Sequence, residues 1–263
     1  MPVNERYFQF SVCVLLFLYA AGFSEAEQRS GRIVGGRNAD IKDHPHMLLL
    51  RKSGYATCSA VVIGNKHALT AAHCVYGVSD AKKISLHGGC TTQTGTSVVF
   101  SAERVLIHPN YNDSINDNDV AIIEISSEFS GHQNVAPITL QSAEPSTSSS
   151  SSSAVCNITG WGIANARTNA VSNTLQVGSL QLITPRTCRV QWHPLAITSS
   201  MICARGEAAD TCAGDSGGPL VCEDRLYGIV SWGSSRCDKT KPAVFTKIFA
   251  NSIRSFIKLS TGI

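Results

Sequence analysis

The stretch that most constrains this chain is Asp210-Thr211-Cys212-Ala213-Gly214-Asp215-Ser216-Gly217-Gly218-Pro219. Glycines at 214, 217 and 218 permit backbone shapes that a Cβ would block. They also leave amide N–H groups free to approach a ligand. A serine in such a turn can hold its Oγ outward beside those donors, the arrangement that acyl transfer requires. The same residues also suit a tight turn whose serine only caps a hydrogen bond. The chemical reading demands a histidine to take the serine's proton and a carboxylate to orient that histidine. Both must come from elsewhere in the chain.

Two segments offer them. Ser59-Ala60-Val61-Val62-Ile63 and His67-Ala68-Leu69-Thr70 read as short strands around a Gly64-Asn65 turn, and they lead into Thr70-Ala71-Ala72-His73-Cys74. Asn118-Asp119 precedes the apolar, mostly β-branched run Val120-Ala121-Ile122-Ile123. Taken singly, His73 reads as a packed residue after a strand and Asp119 as a turn residue, since Asn-Asp repeats favour turns.

Ten cysteines point to an oxidising compartment. The N-terminus agrees: Arg6 precedes an apolar run from Phe10 to Phe23, broken only by Ser11 and ending in small residues. This predicts a secretory signal peptide over residues 1–24, its end falling between 22 and 26. A membrane anchor is the competing reading, but the run is short of the ~20 residues a span needs. Charged residues make up 16% of the chain and hydrophobic ones 43%, which argues for a folded globule. A net charge of +3 without a Lys/Arg cluster gives no case for a nucleic-acid partner.

The ten residues at 210–219, the Thr-Ala-Ala-His-Cys segment, Asn118-Asp119-Val120-Ala121, Gly160-Trp161-Gly162 and Ser231-Trp232-Gly233 together resemble the trypsin-like serine proteases of the chymotrypsin family. The chain order His, Asp, Ser is that family's and differs from the order in subtilisin or the α/β-hydrolases. The resemblance implies an all-β fold of two packed six-stranded antiparallel β-barrels with a C-terminal helix, over residues 33–263. Short strand patterns at Leu180–Ile183, Leu226–Val230 and Val244–Thr246 fit it. So do Phe249, Ile253, Phe256 and Ile257, whose spacing predicts a helix capped near Asn251 and ending near Lys258.

By the same resemblance His73 is the general base, Asp119 its partner and Ser216 the nucleophile. The amides of Gly214 and Ser216 form the oxyanion hole. Ser231, Trp232 and Gly233 pair with the substrate backbone. Asp210 floors the primary pocket and selects Arg or Lys. Ala243 stands where trypsins have glycine, so one extra methyl is expected to narrow the slot, lower activity and change the Arg/Lys ratio. It also keeps elastase-like or chymotrypsin-like specificity open. Arg236, in a loop one residue longer than in common trypsins, sits near the pocket mouth.

Arg32-Ile33-Val34-Gly35-Gly36 resembles a zymogen activation site. Residues 25–32 are then an activation peptide, and cleavage after Arg32 frees an Ile33 amine to pair with Asp215. The family pairs Cys58 with Cys74, Cys156 with Cys222, Cys188 with Cys203 and Cys212 with Cys237. Cys13 leaves with the signal, and Cys90 is left as a buried free thiol or a bond to another molecule. Residues 87–96 correspond to a calcium loop but contain no Asp or Glu, so no metal or other cofactor is expected. The serine-rich stretch at 146–153 is expected to link the barrels. Asn112-Asp113-Ser114 and, less favourably, Asn157-Ile158-Thr159 fit the glycosylation sequon. The expected partners are protein or peptide substrates, an activating trypsin-like protease and protein inhibitors. No nucleic acid, no membrane and a monomeric, extracellular state complete the expectation. The competing class is a non-catalytic binding protein on the same fold.

Overall fold

Six segments of alternating or continuous apolar residues build the first barrel. They are β1 (Met47–Lys52), β2 (Tyr55–Val62), β3 (His67–Thr70), β4 (Ile84–Gly88), β5 (Val98–Ile107) and β6 (Ala121–Ile125). In β5 Phe100 and Ala102 point inward while Ser101 and Glu103 face solvent, the period-2 pattern of a half-buried strand. Together the strands close into an antiparallel barrel in the order β1-β2-β3-β6-β5-β4. The computed structural model describes residues 33, 35–144, 155–165 and 168–263. The expected signal peptide, Cys13, the activation peptide with Arg32, and the serine-rich stretch at 146–153 lie outside the described residues.

The second half repeats the plan with β7 (Val155–Gly160), β8 (Gln176–Ile183), β9 (Met201–Arg205), β10 (Pro219–Cys222), β11 (Arg225–Trp232) and β12 (Ala243–Lys247). Its strands run β8-β9-β12-β11-β10-β7, and β7 pairs back with β8 to close the ring. Counted from each barrel's first strand, the two orders are identical. A two-residue turn tightens each barrel. Ser53-Gly54 links β1 to β2 and Glu223-Asp224 links β10 to β11, all four with positive φ. Two successive left-handed residues match the twist of the flanking strands.

The C-terminal helix ties the barrels together. It runs Asn251–Thr261, with Asn251 as its first helical residue and Ala250 at the cap position, where no side chain bonds the helix end. It extends three residues past the expected end. The apolar spacing stops at Ile257, but Gly262 closes the helix in a left-handed conformation, its N–H donating to Lys258 O. Ile253 and Ile257 are fully buried in the core of the first barrel, beside Leu69, Ile122 and Leu226. Each contributes about 1.5–3 kcal/mol by removal from water. A further helix, Pro185–Trp192, begins with Thr184 capping the Thr187 amide and proline at its start.

Four disulfides are present: Cys58–Cys74, Cys156–Cys222, Cys188–Cys203 and Cys212–Cys237. Cys90 is a buried free thiol.

Candidate active site

The first barrel delivers two of the three expected residues. His73 sits in a single helical turn, Ala72–Val75, directly after β3. Asp119 lies just before β6 and is fully buried. The His73 amide donates to Asp119 Oδ1 at 2.9 Å, and His73 Nδ1 lies 2.8 Å from Asp119 Oδ2. The carboxylate therefore fixes both the backbone and the ring of His73. With Nδ1 donating to Asp119, Nε2 is left to accept a proton. Two residues of the second barrel complete the cradle. Ser231 Oγ donates to Asp119 Oδ2 at 2.5 Å, and Thr246 Oγ1 donates to the Asp119 carbonyl at 2.6 Å. Three donors on one buried carboxylate offset the cost of taking it out of water.

Ser216 comes from the loop before β10. Its carbonyl accepts from the Ser59 amide at 2.8 Å, so the loop is bonded across to the first barrel. Gly217, with φ of +78°, explains the need for glycine here: a Cβ would stand 2.3 Å from both Ser59 O and Thr70 Oγ1. Gly214, with φ of +95°, lies against the Gly162 backbone. The amides of Asp215, Gly217 and Gly218 all have backbone acceptors, whereas those of Gly214 and Ser216 have none among the described residues. Two unused donors thus flank the serine hydroxyl. Ser216 Oγ itself makes no hydrogen bond among the described residues, and the neighbour of His73 Nε2 is Cys74 Sγ at 3.7 Å.

Asp215 points away from the serine into the second barrel. Gly160 and Gly162 leave it room, for a Cβ on either would fall 2.3–2.6 Å from its carboxylate. The amides of Gly162 and Cys212 donate to its two oxygens at 2.9 and 3.0 Å. Burial pushes its pKa up to about 7, with those two amides pulling the other way. No cation pairs with it among the described residues. The Ile33 side chain is already buried in the second barrel's core, with Ile158, Leu180 and Ala209.

A cavity of about 340 Å³ opens beside Ser216, lined by Thr211, Ser231, Trp232, Gly233 and Arg236 among others. Asp210 and Ala243 do not line it. Both are buried, and Ala243 lies behind Gly233, whose added Cβ would come 3.8 Å from the Ala243 Cα. The Asp210 oxygens accept from the amides of Thr211 and Lys239, both at 2.9 Å. Burial raises the Asp210 pKa against the pull of those amides.

Among the described residues, the group of possible metal ligands is Cys58, His73 and Cys74, and both sulfurs are tied up in a disulfide. This group does not fit a metal ion, which would need free thiolates.

Comparison with known proteins adds the family. The model of the family described as Trypsin matches residues 33–257. The chain belongs to the trypsin family. It is 31% identical over 261 residues to a trypsin of Phaedon cochleariae, covering 97% of this chain and 99% of the relative. It is 31% identical over 232 residues to trypsin delta of Drosophila melanogaster, 88% of each chain. It is 30% identical over 259 residues to the venom plasminogen activator Haly-PA of Gloydius brevicauda, 95% of this chain and 96% of the relative. The protein is thus a trypsin-family serine endopeptidase with protein or peptide substrates.

The sequence offers Ser231 to the substrate backbone and gives no sign that its hydroxyl binds Asp119. The Ser-Trp-Gly motif flags the residue, but nothing in the sequence pairs positions 112 residues apart. Thr246 is flagged only as part of a strand, and an inward-facing threonine there is the available signal.

Proposed function

We propose that the protein is made as a secreted zymogen, is cleaved after Arg32, and then hydrolyses peptide bonds that follow Arg or Lys. The observation that carries the reading is the hydrogen-bonded run from Ser231 through Asp119 to His73, beside a serine loop with two unused amides. In the reaction Ser216 Oγ attacks the scissile carbonyl and His73 Nε2 takes its proton. The tetrahedral oxyanion accepts from the Gly214 and Ser216 amides, each worth roughly 2.7–4 kcal/mol in comparable sites. His73 then protonates the leaving amine, and an acyl-enzyme forms. Water repeats the cycle, giving its proton to His73 and releasing Ser216. Asp119 orients the imidazole and stabilises its cation throughout.

A substrate's basic side chain would reach Asp210 by passing beyond the cavity's lining, and the burial of that carboxylate makes a cationic partner favourable. The trypsins among the relatives support that preference. Activation rests on Asp215, a carboxylate with no cation beside it among the described residues, which a new Ile33 ammonium would neutralise. An activating trypsin-like protease and protein inhibitors are the partners this implies, and a monomer without cofactor suffices for the chemistry. A second reading, preference for uncharged side chains, draws on Asp210 lying outside the cavity lining with both oxygens bonded to amides. A peptide-library cleavage profile of the Arg32-cleaved enzyme separates the two: cuts after Arg and Lys support the first, and cuts after neutral residues the second. Full activity of an uncleaved Arg32→Gln precursor would refute the activation step.

A further inference from the structure

Residues 91–94 of the first barrel reach across to the second. The Thr91 carbonyl accepts from Trp161 Nε1 at 3.0 Å and from the Leu175 amide at 2.7 Å. The Gln93 amide donates to Asn173 O at 2.8 Å, and Arg51 Nη2 donates to Gln93 O at 2.8 Å. The Gln93 side chain, half-buried, donates through Nε2 to Trp161 O at 3.2 Å and to Ser172 O at 2.8 Å. A primary amide has two N–H groups, so both donors are engaged.

Those two carbonyls mark the base of a hairpin that presses on the serine loop. The Ser172 amide donates to Gly162 O, closing the base. From there the Gly162 amide donates to Asp215 Oδ1, the Ile163 amide donates to Ala213 O at 2.8 Å, and Gly162 packs on Gly214. The peptide unit between Ala213 and Gly214 carries one of the two unused amides, and its carbonyl is the one that Ile163 holds. A shift of the hairpin base therefore turns the Gly214 donor.

We propose that Gln93 is a positioning residue for the oxyanion-binding segment: it straps the hairpin base at Trp161 and Ser172 to the first barrel and so sets the direction of the Gly214 amide. Gln93 touches no substrate. Its action runs through Trp161, Gly162 and Ile163 to Ala213. This rests on the role proposed above for the Gly214 amide.

The test uses Gln93→Met, which removes both donors at similar size, and Gln93→Glu, which sets a carboxylate against two carbonyls. Each is made in the Arg32-cleaved enzyme and assayed with its best peptide anilide. A peptidyl boronate, which forms a tetrahedral adduct on Ser216, is compared with the matching peptide lacking boron. Gln93→Met should lower kcat about tenfold with KM within twofold, and weaken boronate binding by the same factor. Binding of the boron-free peptide should not change, and Gln93→Glu should lose more. Unchanged kcat and boronate affinity in Gln93→Met overturn the proposal, as does an equal loss of affinity for both peptides, which marks general disorder of the cleft. Gln93→Met decides the matter even if Gln93→Glu does not fold. If the parent enzyme binds boronate no tighter than the boron-free peptide, the oxyanion role itself fails and the strap falls with it.

Discussion

Cleavage after Arg32 should reverse the pH dependence that Asp215 imposes on stability. In the intact chain burial lifts the Asp215 pKa to about 7 from its ordinary value of 3.8. Between those values the folded state binds a proton that the unfolded chain has lost. Stability therefore falls as pH rises, by about 1.4 kcal/mol per pH unit and ~4 kcal/mol across the window. Below it the carboxyl is neutral in both states, and above it the whole penalty is present. In the cleaved chain the Ile33 ammonium would hold Asp215 ionised. The carboxylate's contribution is then stabilising above its ordinary value of 3.8 and lost as pH falls. The new ammonium, raised above its free value of ~7.7–8.0, contributes below that value and is lost at alkaline pH. The assay is urea unfolding of inert Ser216→Ala protein, before and after cleavage, at four pH values spaced evenly across the window. Other titrating groups cancel in the difference. The stability gained on cleavage should grow by at least ~4 kcal/mol from the acid end of the window to neutrality. A difference constant to within about 1 kcal/mol, less than one pH unit's worth of linkage, would refute the reasoning.

Four shorter tests follow from the same geometry. Ser231→Ala removes a charge-assisted bond worth about 1.5–3 kcal/mol, so kcat/KM on a peptide anilide should drop roughly ten- to hundredfold. Parental rates would show that His73 and Thr246 suffice to hold Asp119. Ala243→Gly removes one methyl behind the cavity wall and should change the ratio of kcat/KM for matched Arg and Lys peptides by roughly tenfold, and an equal ratio speaks against any role for that methyl. Gly217→Ala forces a Cβ into the Ser59 carbonyl at positive φ and should destabilise the fold by more than about 1–3 kcal/mol in urea unfolding. Denatured, non-reduced mature protein should titrate one thiol, Cys90, and none would mean that Cys90 is bonded elsewhere. Burial raises the Cys90 pKa, so the native protein should react with thiol reagents far more slowly.

Local chemistry was legible in the sequence wherever one segment carries its own constraint. The glycines at 214 and 217 pointed to backbone that a Cβ would obstruct, and the structure gives both positive φ with close backbone neighbours. The His73, Asp119 and Ser216 segments each carried strand or turn signals, and their grouping came from resemblance. The spacing of Ile253 and Ile257 named a buried face directly. The helix Pro185–Trp192 went unseen because just Cys188 and Trp192 are buried, while Val190 is exposed, so no apolar face repeats at helical spacing. Contacts between distant segments were illegible. Neither Ser231 on Asp119 nor Gln93 on Trp161 and Ser172 leaves a periodic trace, because each depends on how two closed barrels meet. The amides that occupy Asp210 belong to the same class: an acid in the right place says nothing of which donors reach it first.

His73 and Asp119 are carried by one closed barrel and Ser216 by the other. By the proposed mechanism neither body alone contains a reactive centre, so turnover would act as a gauge of how the two barrels are set against each other. A slip of about 1 Å between them costs on the order of a hundredfold in rate. The same slip leaves the strand ladders of both barrels intact, and circular dichroism would register nothing. A wedge driven between the barrels, far from the serine, would therefore silence the enzyme while every structural probe of its halves still reads native.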